Sequence, residues 1–589
     1  MLETMNQLKP CAIMTRLREK TLLHANAALS TSSRIIIDQI IPSLEKGRFA
    51  AKCAQDTPFA VEAVILCDSL ESIKADLLWR HENDLYFKRT PMTALGDDRY
   101  AAVIRPAQAG RYVYTVEASI DQFTGWKESF LRNLHAGKAT PSECACGSIL
   151  MQEYAEHPGH AAHEQHRALK LIEAFTTMCA DLPLLSGLEV EKITDLLETP
   201  DLVNIMRSVW DDPGTVKFDG ELPLAVDPPC AVFSAGYEFL PLSRKSTIRS
   251  ILRDVLEQLP HIADMGFDIV HLPVKLEEKD RRDFSFLAET ARNLNLTLAL
   301  DISFEYDGPE ENYPEDDESR QILRENFKRT LLSWTRSGIY AFRVINPHAK
   351  SFAFWEWCIR ETRKECPNAI FIAGAVSRPY IMAYLAKIGF NQSYTYFGWL
   401  HDKTELTQYM EELTHSELQY YFRPVFWPNT PDILSDVIHG DNSLFVQRLV
   451  LAAMMSSNYG VYGPPLDRDT WEQSGLAPLI SKINAIRREN PALQSNGSIL
   501  FHDTDNENLI AWTKQSGSNL ILSVVNLDMC NTQSGTISPH PDRIELGPDK
   551  AFMLVDILND RRFEWRGQKS RITLDPRTMP ACVFRIEPI

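Results

Sequence analysis

The sequence predicts a multidomain α/β protein: an N-terminal β-sandwich with a helical insert, a (β/α)8 TIM barrel, and a C-terminal β-sandwich. Three observations predict it. Short β-branched runs set off by turn residues crowd each end of the chain over about 100 residues, the size of one sandwich. Between them, strand-like runs alternate with helical stretches over roughly 260 residues, the span of a single barrel. The 589 residues leave room for about four domains at roughly 150 residues each.

Residues 1–33 are an N-terminal extension. Residues 34–128 hold the runs Arg34 to Ile41, Phe59 to Cys67, Tyr100 to Arg105 and Gly110 to Ser119, split by turns such as Gly96-Asp97-Asp98. This spacing is that of an immunoglobulin-like β-sandwich. From 129 to 228 the texture is helical, with apolar residues at helical spacing in His166 to Met178 and Glu189 to Val209. From 229 to 494 the strand-like runs Ile269 to Leu272, Leu296 to Ile302, Ala341 to Ile345 and Ile370 to Ala375 alternate with helical stretches. Thr247 to Leu259, Gln321 to Ser337 and Ala353 to Lys364 are the clearest of the latter. Such alternation implies βαβ units, a parallel sheet and closure into a barrel. From 495 to 589 strands return without helices, in Leu509 to Thr513, Leu520 to Asn526, Arg571 to Leu574 and Ala581 to Ile586.

Composition excludes several function classes. Lys and Arg number 61 against 79 Asp and Glu, a net charge of −18, and no basic run stands out. Neither nucleic acid nor an anionic membrane is the expected partner. Charges scatter through Met1 to Lys20, so no secretory signal is read, and the longest apolar runs, such as Leu449 to Met455, are too short to span a bilayer. Eleven cysteines in so long a chain are an odd, sparse set that fits a reduced compartment. A cytoplasmic protein is expected.

The middle of the chain carries specific motifs. Phe342-Arg343-Val344-Ile345-Asn346-Pro347-His348 is followed by Phe354-Trp355-Glu356-Trp357, then Ser377-Arg378-Pro379, then Gly389-Phe390-Asn391-Gln392-Ser393-Tyr394-Thr395-Tyr396-Phe397, then Asn429-Thr430-Pro431-Asp432-Ile433-Leu434. Gly110 to Ala118, Leu259 to Asp268 and Asn490 to Gln494 carry further matches. The series resembles the α-1,4-glucan:maltose-1-phosphate maltosyltransferases, of the α-amylase clan and glycoside hydrolase family thirteen. The likeness covers nearly all of the chain from residue 34. It implies a retaining mechanism with an aspartate nucleophile, a glutamate acid/base and a second aspartate that stabilises the transition state.

Matched residue by residue, the nucleophile position holds Ile345 and the acid/base position holds Gly374. Only the stabiliser survives, as Asp432. Isoleucine has no nucleophilic atom and glycine holds no proton. Asp301, Glu305 and Asp307 follow the third strand-like run, but retaining chemistry needs two carboxyl groups about 5 Å apart with opposed roles. The family's long loops after strands two and three also look shortened, so the barrel is expected to lack the lid domain. Glu305 stands where the family has a glutamine and would repel a phosphorylated donor. The residues left for substrate binding are Arg343, Asn346, His348, Asp301 and Glu305. Arg343 has a structural alternative, as the ion partner of Asp301 or Asp432.

The aromatics Tyr394, Tyr396, Phe397 and Trp399 could stack on sugar or pack in the core, whereas Trp355 and Trp357 read as core. Cys144 and Cys146, followed by His157, His160, His163 and His166, are zinc-ligand types at a spacing that matches no zinc pattern, so no metal and no cofactor is expected. The expectation drawn from the residues is therefore a pseudoenzyme: a catalytically inactive, maltosyltransferase-like protein of glycogen metabolism. It would serve as a homodimer, or as a heteromer with an active maltosyltransferase homologue. Two alternatives stand beside it: an active maltosyltransferase extending glucan chains, and a stand-alone protein binding α-glucan or maltooligosaccharide.

Overall fold

The computed structural model describes residues 34–68, 71–156, 161–184, 186–208, 214–239, 248–272, 281–302, 317–374, 376–429, 443–463, 475–540, 543, 551–567 and 569–589. The N-terminal extension, Glu305, Asp307, Asp432, His157 and His160 lie outside them.

The N-terminal sandwich has two sheets. One runs Ile35–Ile41, Phe59–Cys67, Arg99–Ile104, Thr93–Gly96 in spatial order; the other runs Ala51–Ala54, Leu222–Asp227, Gly110–Ile120, Ile73–His81, Lys88–Pro91. Alternating residues of both, among them Ile37, Val61, Ile65, Leu77, Tyr114, Val116 and Leu224, close a common core. The helices begin at Gln122 and end at Ser208, and the chain then returns to the second sheet. The strand Leu222–Asp227 falls within the expected helical insert of 129–228, and it forms although Pro223 has no N–H for the ladder. It pairs with Ala51–Ala54 in parallel and with Gly110–Ile120 antiparallel. The expected helix over Glu189 to Val209 is two, Gly187–Leu197 and Pro200–Ser208. Pro200 has no N–H for the preceding turn and instead begins the second helix.

Eight parallel strands form a closed barrel: Ser234–Glu238, Ile269–Leu272, Thr297–Ile302, Ala341–Val344, Ile370–Ala373, Gln392–Tyr394, Pro424–Phe426 and Asn458–Tyr462, barrel strands one to eight. Helices such as Ile248–Asp264, Asp317–Arg336, Phe352–Glu365 and Leu476–Glu489 lie between them. Strands one, six, seven and eight are absent from the sequence reading. All four have five residues or fewer, and Ser, Gly, Gln, Pro or Asn takes up part of each, so no apolar run registers.

The barrel interior is filled in layers. At the entry ends of the strands Gln392 donates through Nε2 to Ser234 Oγ at 3.2 Å and Asn458 Oδ1 at 3.1 Å. One layer up, Gly236 and Gly460 make room for two rings. A Cβ on Gly236 would lie 3.1 Å from His271 Nε2, and one on Gly460 only 2.4 Å from the Trp427 ring. His271 and Trp427 are in edge contact, with centroids 5.7 Å apart. Above them, at the C-terminal ends, stand Glu238, Asp301 and Arg343. The C-terminal domain is an eight-stranded antiparallel sandwich from Leu500 to Pro588. No helix among the described residues is long and apolar enough to cross a membrane.

Candidate functional site

Arg343 is the penultimate residue of barrel strand four, with its neighbours in register: Asp301 of strand three lies directly opposite on one side and Ile372 of strand five on the other. Its guanidinium is only 3% exposed. A buried cation must find acceptors for every N–H, and this one does. Nε donates to Asp301 Oδ1 at 2.6 Å and Nη2 to Asp301 Oδ2 at 2.7 Å. Nη2 also donates to Glu238 Oε1 at 3.0 Å, and Nη1 to Glu238 Oε2. A further Nη1 bond, 2.8 Å long, reaches the Tyr394 hydroxyl. Asp301 and Glu238 thus grip two edges of one planar fork, a bidentate arrangement on each side. Of the two partners expected for Arg343, Asp301 is one. The other partner is Glu238, 105 residues away in sequence.

Burial pushes both carboxyls above their ordinary range, and Arg343 offsets this only in part. Glu238 also hydrogen-bonds Tyr462. His271, in the layer beneath, is held well below the usual imidazole range by burial and by the charge of Arg343, so it is neutral at pH 7. The cluster therefore combines two carboxyls that hold protons more tightly than usual with one fixed cation.

The two motif positions lie beside it. Gly374 follows barrel strand five, and its N–H donates to Val344 O at 2.8 Å. A Cβ there would meet Arg343 Cγ at 2.9 Å, Val344 O at 3.1 Å and Arg343 Cδ at 3.3 Å. The stem of Arg343 occupies the space where a side chain at 374 would begin. Ile345 is half-buried, while Asn346 and His348 are exposed at the rim. Trp355 is fully buried and its indole donates to Pro347 O at 2.7 Å, which fixes the turn under His348. Tyr394 and Phe397 are buried and Tyr396 half-buried, with Phe397 stacked on Phe426 at 4.3 Å. Trp399, 58% exposed, is the member of that group open to solvent.

Cys144 faces inward, and Cys146, His163 and His166 face outward. Among the described residues no three His, Cys, Asp or Glu side chains stand together as metal ligands.

Glu238, Tyr462 and His271 escaped the reading of the sequence. The signal for Glu238 was its place at the end of Ala235-Gly236-Tyr237-Glu238. A carboxylate closing a barrel strand at its C-terminal end stands where barrel enzymes keep their chemistry.

Residues 33–228 match the family model for domain N/S of α-1,4-glucan:maltose-1-phosphate maltosyltransferase, and residues 501–586 that for the C-terminal domain of GLGE. The α-1,4-glucan:maltose-1-phosphate maltosyltransferase of Salinibacter ruber is 33% identical over 94% of this chain and 97% of its own. Those of Chlorobaculum tepidum and Methylacidiphilum infernorum are each 30% identical over 94% of this chain and 96% of theirs. Among solved structures, a noncanonic maltogenic α-amylase from Thermotoga neapolitana aligns with 61% of this chain and 100% of its own, at 15% identity and a TM-score of 0.47. The fold rests on the strand order above and not on that likeness.

These relatives correct the expectation that the chain is not an enzyme: all of them are named as maltosyltransferases. The expectation weighed Ile345 and Gly374, the shortened loops after strands two and three, and Glu305. It overlooked Glu238, which stands with Asp301 at the same barrel mouth.

Proposed function

The chain belongs to the α-1,4-glucan:maltose-1-phosphate maltosyltransferase family, and from that membership we propose that it transfers maltosyl units onto α-1,4-glucan at the C-terminal mouth of its barrel. The observation that carries the reading is the 33% identity to the Salinibacter ruber protein across almost the whole of both chains.

With Ile345 and Gly374 at the matched positions, the chemistry falls on Glu238 and Asp301. Asp301 is the more open of the two, its side chain 13% exposed against 6% for Glu238. It takes the part of the attacking carboxylate and forms a glycosyl ester as the bond from the anomeric carbon to phosphate breaks. Glu238, whose carboxyl burial raises above its ordinary range, takes the part of the acid that protonates the departing phosphate and then of the base that receives the proton of the acceptor hydroxyl displacing Asp301. Arg343 keeps the two carboxyls apart and stabilises charge as it passes between them. Asn346 and His348 at the rim gather sugar hydroxyls, and the exposed ring of Trp399 stacks on the glucan acceptor. Asp432 is assigned to sugar-hydroxyl contacts by its motif position alone.

The test is release of inorganic phosphate, with chain extension, when the purified protein meets maltose 1-phosphate and a maltooligosaccharide acceptor. Phosphate release that falls by at least about 100-fold in both Glu238→Gln and Asp301→Asn is the expected outcome. No release, under conditions where the Salinibacter ruber relative gives it, overturns the reading. Release unaffected by either substitution overturns the assignment of roles.

A further inference from the structure

Three aromatic rings stand together on the outer wall of the barrel beside its mouth. Each helix that follows a barrel strand starts at the C-terminal end of the barrel, where Glu238, Asp301 and Arg343 stand. Phe352 is the first residue of the helix after strand four, Phe352–Glu365, and Tyr380 the second of the helix after strand five, Pro379–Lys387. Both rings therefore sit at the rim, Phe352 36% and Tyr380 78% exposed. Tyr384, four residues beyond Tyr380, lies on the same face of that helix one turn further from the mouth. It bridges the two helices: its ring meets Phe352 edge-on, with centroids 4.8 Å apart.

The far end of this strip is held by the N-terminal sandwich. Phe49 packs edge-on against Tyr384 at 5.7 Å, and Arg48 donates through Nη2 to the Tyr384 hydroxyl at 3.3 Å. Tyr384 is thus fixed between two domains, and it orients Phe352 in turn. Rings held in place yet left open to water add little burial to the fold. They are flanked by two exposed guanidiniums, Arg378 at the rim and Arg48 at the far end. Flat apolar faces bordered by hydroxyls and guanidinium donors match a pyranose, whose faces carry C–H groups and whose edge carries hydroxyls. An aliphatic partner surface would cover those donors without pairing them, at a cost. The strip also continues the mouth, since His348 at the rim shortly precedes Phe352 and Gly374 shortly precedes Tyr380.

We propose that Tyr380, Phe352 and Tyr384 are a holding strip for the α-1,4-glucan acceptor, along which the part of the chain beyond the mouth lies against the outer wall towards Arg48. The identity of the ligand rests on the assignment of maltosyl transfer to this barrel. A short oligosaccharide held at the mouth does not reach Tyr384, whereas a long chain covers all three rings. Long acceptors are therefore favoured over short ones, through affinity and not through the chemical step.

Native electrophoresis of the full chain in gels with and without glycogen measures this holding without any need for turnover. Glycogen should retard the wild type, and Phe352→Ala with Tyr380→Ala should weaken the apparent Kd about tenfold, the share of two ring contacts. Tyr380→Ala alone, at an open position where little packing is lost, should take part of that loss with Tm unchanged. Phosphate release gives a second readout. The ratio of kcat/KM for a long linear maltodextrin to that for maltotriose should fall by about the same factor in the double variant, through KM. Retardation of the wild type that the double variant loses, with no phosphate release from either, would keep the strip and refute maltosyl transfer. Phosphate release with no retardation, or with a length preference that the double variant retains, would overturn the strip and leave transfer standing. A wild-type dimer that the double variant dissociates would give the face to a second copy of the chain, and would overturn the proposal too.

Discussion

Gly374 and Arg343 compete for one small volume. The atoms that a Cβ on residue 374 would meet are Arg343 Cγ and Cδ and a backbone carbonyl, not the free end of a side chain. Arg343 cannot swing aside cheaply because every N–H of its guanidinium is engaged. Gly374→Ala is therefore expected to destabilise the protein by about 1–3 kcal/mol, the usual cost of overpacking. The urea midpoint should fall with an unchanged slope; an unmoved midpoint would mean that the Arg343 stem yields freely. Glu238 makes a second prediction. Burial raises its carboxyl above the ordinary carboxylate range, so over the interval between the unfolded and folded values the folded protein binds the proton more than the unfolded chain does. The penalty for burying the charge is absent below the unfolded value and complete only above the raised one. Glu238→Gln never ionises, so it should gain stability relative to wild type as pH rises from about 4 towards neutrality. Urea midpoints of the two proteins at pH 5 and pH 8 check this, and a gap that stays constant with pH contradicts it.

At the scale of elements, the junction of the N-terminal sandwich with the barrel hangs on one carboxylate. Asp227 ends the strand Leu222–Asp227, fully buried. Its Oδ1 pairs with Arg363 Nη2 at 2.6 Å and its Oδ2 with Arg423. Arg363 comes from the helix after barrel strand four and Arg423 from the turn before strand seven. Lys52, on the neighbouring strand, donates to Ala386 O at 2.7 Å and to Phe390 O at 2.5 Å, at the end of the helix after strand five. Burial pushes the Asp227 carboxyl up, but Arg363, Arg423 and Lys52 outweigh it and hold it at about 2. Asp227→Asn would strand the two guanidinium cations of Arg363 and Arg423 in a dry junction and is expected to cost about 3–5 kcal/mol at pH 7. Because the folded value is depressed, the contribution of Asp227 is full above the unfolded value near 3.8 and is lost as pH falls towards 2. The gap between variant and wild type in thermal or urea unfolding should shrink below pH 4; a gap that persists there would assign the cost to packing instead of charge. Elements of this kind were only partly legible. The long amphipathic helices and the β-branched strands of both sandwiches declare their period locally. The strand holding Pro223 and the helix boundary at Pro200 do not declare themselves locally, because proline's rule against strands is overridden in one case and its preference for helix starts obeyed in the other.

For the whole molecule, we propose self-association through the N-terminal sandwich and its helical insert, as the family resemblance implies. Ile36 and Leu66 stand directly opposite each other on the outer face of the first sheet, 46% and 39% exposed. On the same part of the chain Val103, Ile149 and Leu188 are each more than half exposed. Ile36 and Leu66 form an adjacent apolar pair on that face, which a second copy would cover. Native mass spectrometry should find twice the 67.0 kDa of one chain. Ile36→Asp with Leu66→Lys should return it to the monomer; a wild-type protein that is monomeric at micromolar concentration refutes the proposal.

Read by itself, the sequence determined the order of domains, the family and the identity of every residue at the matched catalytic positions. These follow from local periodicity, turn chemistry and motif spacing, each confined to a few dozen residues. It named Asp301 as a partner of Arg343 but could not supply Glu238. Glu238 and Asp301 belong to strands far apart in the chain, and only closure of the barrel, strand by strand in register, brings their carboxyls to the two edges of one guanidinium. The same closure decides that Gly374 must be small, because the space its side chain would fill is taken by a residue from the adjacent strand. Whether two carboxylates can act as a pair depends on distances set by the sheet register, and no property of either residue's own neighbourhood in sequence contains them.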